Sequence, residues 1–174
     1  MITKQAIFNA AYGLMERKDI DKITVTDIVK ECHITRQTFY YHFQDIVAMM
    51  EWGLQQEIDQ LVKKAATSQT MEEALLNFFN VVMKRKSLFC KIMNSRYYQQ
   101  GLLMMADGLK RYLVNLAYLS AENVNRPVKD MIFLLDYHVG AITVMMARWM
   151  QSKNVDMENE VQQISKIIKA SLCI

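Results

Sequence analysis

The stretch ITRQTFYYHF, Ile34 to Phe43, gathers Arg36, Gln37, Thr38, Tyr40, Tyr41 and His42 within seven consecutive positions. An Arg fork fits guanine O6 and N7, a Gln amide fits adenine N6 and N7, and a Tyr ring can cover a thymine methyl. Thr and Tyr hydroxyls are suitable donors to phosphate oxygens. Ile34, Phe39 and Phe43 are of another kind, an apolar set with the two Phe residues four apart. At about 100° per residue, Arg36, Gln37, Tyr40 and Tyr41 cannot share the buried face those Phe residues define. The polar set therefore projects outward near the start of a short helix, as a helix entering a major groove requires.

That helix needs neighbours to hold it. Ile7, Ala10, Ala11, Leu14 and Met15 form one apolar stripe after Thr3, so residues 3–18 read as a first amphipathic helix. Thr24 with Asp27 has capping-box spacing and opens a second helix that ends near Cys32. Thr35 is an N-cap for the helix carrying Arg36, with Ile34 before it as a staple. About three residues join the two helices, the length of a helix-turn-helix connection.

Further helices follow from similar signals. Asp45 caps a helix reaching about Ala66, and Thr70 with Glu73 opens another that closes on Lys84, Arg85 and Lys86. Ser87–Asn94 reads as a short helix and Tyr97 to about Leu119 as a long one. The single proline, Pro127, suits a first turn and starts residues 127–152, and Asp156 caps a last helix to about Ser171. The fold class is all-α, with about nine helices and no strand. Residues 1–46 form the helix-turn-helix domain and 47–174 a C-terminal helical bundle.

Composition agrees with this. Over 174 residues, apolar types make up 52%, Pro occurs once and Gly five times, which leaves little loop punctuation. Three distant cysteines, Cys32, Cys90 and Cys173, give neither a disulfide framework nor thiolate metal spacing. The N-terminus lacks a signal-peptide core, and no window approaches about 18 uninterrupted apolar residues, so a soluble cytoplasmic protein without a membrane span is expected. Three histidines, with no Gly-rich phosphate loop, GxSxG or HExxH, supply no catalytic, metal or cofactor constellation. His138 and Asp136, two apart on a helix, point in different directions.

Net charge is +3, but residues 1–45 are neutral. Lys4, Arg17, Lys18, Lys22, Lys30 and Arg36 balance Glu16, Asp19, Asp21, Asp27, Glu31 and Asp45. Lys84, Arg85, Lys86, Lys91 and Arg96 are the densest basic region, readable as a solvated helix end or as a site for an anion.

The segment ITVTDIVKECHITRQTFYYHFQDI resembles the DNA-binding motif of the TetR family of bacterial transcriptional regulators. That motif runs Thr-x-x-x-Ile-Ala, a Gly-Val-Ser turn, then Tyr-x-His-Phe. The stretch RQTFYYHFQDI followed by MEWG looks closest to a subgroup that includes regulators of dihydroxyacetone kinase genes. Carried over by position, the resemblance implies DNA contacts by Thr24, Thr26, Arg36, Gln37, Thr38, Tyr40, Tyr41 and His42. His33 stands where the family commonly has Gly, and Ile46 where a phosphate-contacting Lys often follows.

The resemblance further implies a homodimer, built by pairing the last two helices, on a palindromic operator in double-stranded DNA. A small-molecule effector or partner protein would control it. Gly140, Ala141 and Ala147 leave a small-residue strip where another helix can approach closely. Ile142, Met145, Trp149, Ile164 and Ile168 are the candidate interface residues. Among fourteen methionines, Met104 and Met105, with Leu109, Tyr112 and Tyr137, are candidates for the wall of an adaptable ligand pocket, with ordinary core packing the competing reading. The alternative function is a helical protein-interaction module that retains the fold without reading DNA.

Overall fold

The protein is described here by a computed structural model covering residues 4–120 and 127–172. Among these residues the chain is all-helical, with nine α-helices and one 3-10 turn. They run α1 (Lys4–Arg17), the turn Ile20–Lys22, α2 (Val25–Glu31), α3 (Arg36–His42), α4 (Ile46–Ala65), α5 (Met71–Lys84), α6 (Lys86–Met93), α7 (Tyr98–Ser120), α8 (Val128–Gln151) and α9 (Met157–Leu172).

The caps account for most of the starts. Thr24 and Asp27 form the complete reciprocal capping box of α2, and the Thr35 hydroxyl accepts from the Thr38 amide at α3. Asp45 accepts from the Ala48 amide at 2.8 Å, and Thr70 from the Glu73 amide at 3.1 Å. Asp156 accepts from the Asn159 amide at 3.1 Å. The cap expected at Thr3 lies outside the described residues, as does Cys173; Cys32 and Cys90 are half-buried and not disulfide-bonded.

The chain forms two compact units, one of residues up to 57 with 87–104, the other of 58–86 with residues from 105 onward. In the first, Ile7, Leu14, Ile20, Ile28, Phe39 and Met49 are among the side chains of one buried cluster, against which Leu88, Ile92, Tyr97 and Met104 pack. Packing is close where α1 meets α4: a Cβ on Gly53 would lie 1.9 Å from the Phe8 ring. The α6–α7 corner is tied to this unit by polar contacts as well. Lys91 Nζ donates to the carbonyls of Met15 at 3.1 Å and Glu16 at 2.5 Å, where the C-terminal end of α1 attracts a cation. The Arg96 amide donates to Asp21 at 3.0 Å.

In the second unit α5 and α8 each pack on α9. Phe78 stacks against Tyr112 at 4.5 Å between centroids, and Phe79 meets Trp149 edge-on at 5.3 Å. The buried Tyr112 hydroxyl donates to the Ala74 carbonyl at 2.7 Å, which satisfies the one polar atom of that ring. Glu72 on α5 accepts from Ser165 at 2.7 Å and Lys169 at 2.8 Å on α9.

By length and hydropathy alone α8 is apolar enough to cross a membrane, with a mean hydropathy of 1.4. It holds no uninterrupted apolar run of the length expected of a span, because Asp136, His138 and Arg148 interrupt it. Leu135, Val139, Ile142, Met146, Trp149 and Met150 account for part of that apolarity, being buried inside the unit.

Candidate nucleic-acid interface

Among the described residues the α2–α3 turn departs most from easy backbone geometry. His33 has φ 54°, the left-handed conformation that costs a non-glycine residue about 1 kcal/mol or more. Around it the turn is fully hydrogen-bonded: the His33 amide donates to Lys30 O at 3.2 Å and the Ile34 amide to Val29 O at 2.9 Å. The larger residue thus takes the conformation a Gly would take, and the turn holds α3 on α2.

Behind α3, Phe39 is fully buried and Phe43 nearly so, with centroids 6.0 Å apart. Burying Phe39 contributes about 2–3 kcal/mol and fixes the rotation of the helix. The opposite face then carries Arg36, Gln37, Tyr40 and Tyr41, all exposed, with Tyr41 84% accessible. Among the described residues Arg36 and Gln37 have no hydrogen-bond partner, so their donors and acceptors are available. Thr38 is half-buried and shares a 2.9 Å hydrogen bond with Thr35. His42, also half-buried, meets the Tyr41 ring edge-on at 5.1 Å.

The two threonines of α2 differ. Thr24 Oγ donates to Asp27 Oδ2 at 2.6 Å and accepts from the Asp27 amide at 3.2 Å. The Thr24 hydroxyl, then its amide, with Lys18 beside them, hold the Asp27 carboxyl below its usual range. Thr24 is therefore committed to its helix. Thr26, half-buried, has no such bond and is the freer of the two. Ile46 is a core residue of the same unit.

Of the remaining candidate residues, Met104, Met105, Leu109 and Tyr112 lie on α7 and Tyr137 on α8. Leu109 and Tyr112 are fully buried, Tyr137 is 66% exposed, and Met104 belongs to the first unit while Met105 belongs to the second. A void of about 10 Å³ in the second unit is lined by Met71, Leu113, Leu116, Ala117, Leu135 and Ile168, with none of the five among them.

Of the candidate interface residues, Ile142, Trp149, Ile164 and Ile168 are buried within the chain itself and Met145 is half-buried. Their apolar character serves packing in the second unit. The outward face of α8 is a different set, Phe133, Tyr137, Ala141 and Val144, with nothing within 4 Å of the position a Cβ on Gly140 would take. Spacings of four, four and three residues from Phe133 mark this stripe in the sequence, but α8 is apolar on both sides, so the spacing alone does not say which stripe faces inward.

The basic region is divided as well. Lys86 donates to the Ser152 carbonyl, while Lys91 and Arg96 hold α1 and Asp21 as described above. His138 does not face Asp136: its Nε2 lies 2.6 Å from Ser171 Oγ, which donates to Ile168 O, and Asp136 pairs with Lys110 at 2.6 Å. Among the described residues no three His, Cys, Asp or Glu side chains are gathered to hold a metal ion.

Residues 7–51 match the family model of bacterial regulatory proteins, tetR family. Over 92 residues the chain is 26% identical to the HTH-type dhaKLM operon transcriptional activator DhaS of Lactococcus lactis subsp. lactis (strain IL1403). That match takes in 53% of this chain and spans about half of the relative, 49% of its length. A solved dihydroxyacetone kinase operon activator DhaS superposes with a TM-score of 0.69 at 20% identity, covering 99% of this chain and 97% of that one. A tetR-family transcriptional regulator from Streptomyces coelicolor gives 0.67 at 15% identity, covering 97% and 82%. Residues 7–51 thus match the tetR family of bacterial regulatory proteins, and the chain that carries them has the all-helical fold of these solved structures.

Proposed function

We propose that the protein is a sequence-specific, DNA-binding transcriptional regulator of the bacterial cytoplasm, acting as a homodimer on a palindromic operator. The observation that carries this reading is α3 itself: a capped helix with Phe39 buried behind it and Arg36 and Gln37 exposed and unpartnered in front. Arg36 and Gln37 read bases, while Thr26, Thr38, Tyr40, Tyr41 and His42 position the helix on the backbone or against thymine methyls. Thr24 supports α2 rather than touching phosphate. In functional terms residues 1–46 bind DNA, and residues 47–174 dimerise and respond to a small-molecule effector or a partner protein.

We assign the dimer contact to the outward stripe of α8, together with the exposed Ile167 of α9. A two-fold contact of this kind uses the same patch on both protomers, and an exposed Gly140 beside Ala141 lets two helices approach closely. The dimer sets two recognition helices about 34–36 Å apart or at a related spacing, hence an inverted repeat. Both DhaS relatives bear names of operon activators, which supports gene control as the role.

The test is retention of genomic fragments by the purified protein over a salt series. Selective retention of a fragment containing an inverted repeat is expected, upstream of its own gene or a neighbouring one. Equal retention of all fragments contradicts the reading.

A further inference from the structure

The first compact unit is short of free positive charge. It carries eight cationic side chains, Lys4, Arg17, Lys18, Lys22, Lys30, Arg36, Lys91 and Arg96, against eight carboxylates, Glu16, Asp19, Asp21, Asp27, Glu31, Asp45, Glu51 and Glu57, a formal balance of zero. Most of the cations are also engaged. Arg17 lies 2.7 Å from Glu31, Lys18 3.5 Å from Asp27, Lys22 3.7 Å from Asp19 and Arg96 4.0 Å from Asp21. Lys91 is held on the α1 carbonyls, and Lys4 sits 5.4 Å from the centre of the Phe43 ring. Among the described residues this leaves Lys30 and Arg36 without a partner. Apart from Arg36, the exposed residues from Thr35 to Gln44 are Thr35, Gln37, Tyr40, Tyr41 and Gln44, none of them a formal cation.

Non-specific affinity for duplex DNA comes almost wholly from phosphates neutralised by Lys and Arg, and each neutralised phosphate steepens the salt dependence by about 0.9 in log K against log salt. We propose that this unit binds its operator with little charge neutralisation, no more than Arg36 and Lys30 from each protomer. The rest of its affinity comes from amide, hydroxyl and aromatic contacts. The proposal rests on the DNA-binding reading above. Two cations from each of two protomers give a slope of about −4 or shallower, where six to ten phosphate contacts are common for a DNA-binding protein. Low non-specific affinity follows, so a lone half-site holds the protein weakly and both halves are required.

The experiment uses the full-length protein and the duplex it enriches most from a randomised pool, with binding measured across a KCl series without divalent ions. A slope of about −4 or shallower, with weak binding to a scrambled duplex, is the expected result. Gln44→Lys adds a cation one residue past the C-cap of α3 and should steepen the slope by about 2 per dimer and tighten binding to the scrambled duplex. A wild-type slope steeper than about −4, or a Gln44→Lys slope that does not change, overturns the charge-poor interface and leaves DNA recognition standing. Failure to enrich any duplex overturns both.

Discussion

Thr24 and Thr26 lie two residues apart on α2, yet their hydroxyls have different work. The Thr24 hydroxyl closes the capping box, and replacing such a cap with Ala costs about 1 kcal/mol of stability. Thr24→Ala should therefore lower the urea midpoint. Thr26→Ala should leave the midpoint nearly unchanged, within about 0.5 kcal/mol, while weakening binding to all duplexes alike, as a phosphate contact does. Parallel urea titrations and binding curves separate the two, and a Thr26→Ala protein that binds normally removes it from the interface. The same scale explains why His33 was legible as a problem and not as a solution. Its place in the turn is visible in the sequence, but φ 54° depends on how α2 and α3 pack.

Helix starts were readable because caps are local: Thr24 with Asp27, Thr35, Asp45, Thr70 and Asp156 each act within four residues. The packing of those helices was not. Gly53 sits inside α4, where its composition alone gives no reason for it. The reason is the Phe8 ring of α1, which a Cβ would meet at 1.9 Å. Gly53→Ala should cost about 1–3 kcal/mol through overpacking, despite the higher helix propensity of Ala. Thermal denaturation checks this, and a stabilised Gly53→Ala protein contradicts the close approach of α1. Which side of α8 faces inward was equally hidden. Ile142 and Trp149 look no different in sequence from Phe133 and Val144, since a helix apolar on both faces has no amphipathic signal to read. The links made by Lys91 and Arg96 to α1 and Asp21 span about 75 residues of chain and leave no local trace.

At the scale of the whole molecule the exposed face of α8 gives a direct prediction. Val144→Glu, at a position 60% exposed, should split the proposed dimer while leaving the fold intact. Trp149→Ala should instead cost about 3–5 kcal/mol of folding stability, since Trp149 is buried. Sedimentation and denaturation distinguish them, and a Val144→Glu dimer would move the interface elsewhere. Stability should also depend on acid. Lys169 and then Ser165 hold the Glu72 carboxyl down from 4.5 to about 2. The unfolded chain takes up that proton first as pH falls, so the stability Glu72 contributes is complete above about pH 4.5 and is lost towards pH 2. Denaturant midpoints measured through that window should fall less steeply for Glu72→Gln than for the wild type. An identical fall in both proteins places the acid sensitivity in another group.

The most direct measurement of base reading by α3 is a comparison of wild type and Arg36→Ala on the enriched palindrome and all its single-base variants. Arg36→Ala should lose about 1–3 kcal/mol on the palindrome and cease to discriminate at one symmetric pair of positions, keeping its preferences elsewhere. An equal loss on every variant, or no loss at all, would contradict base reading by Arg36.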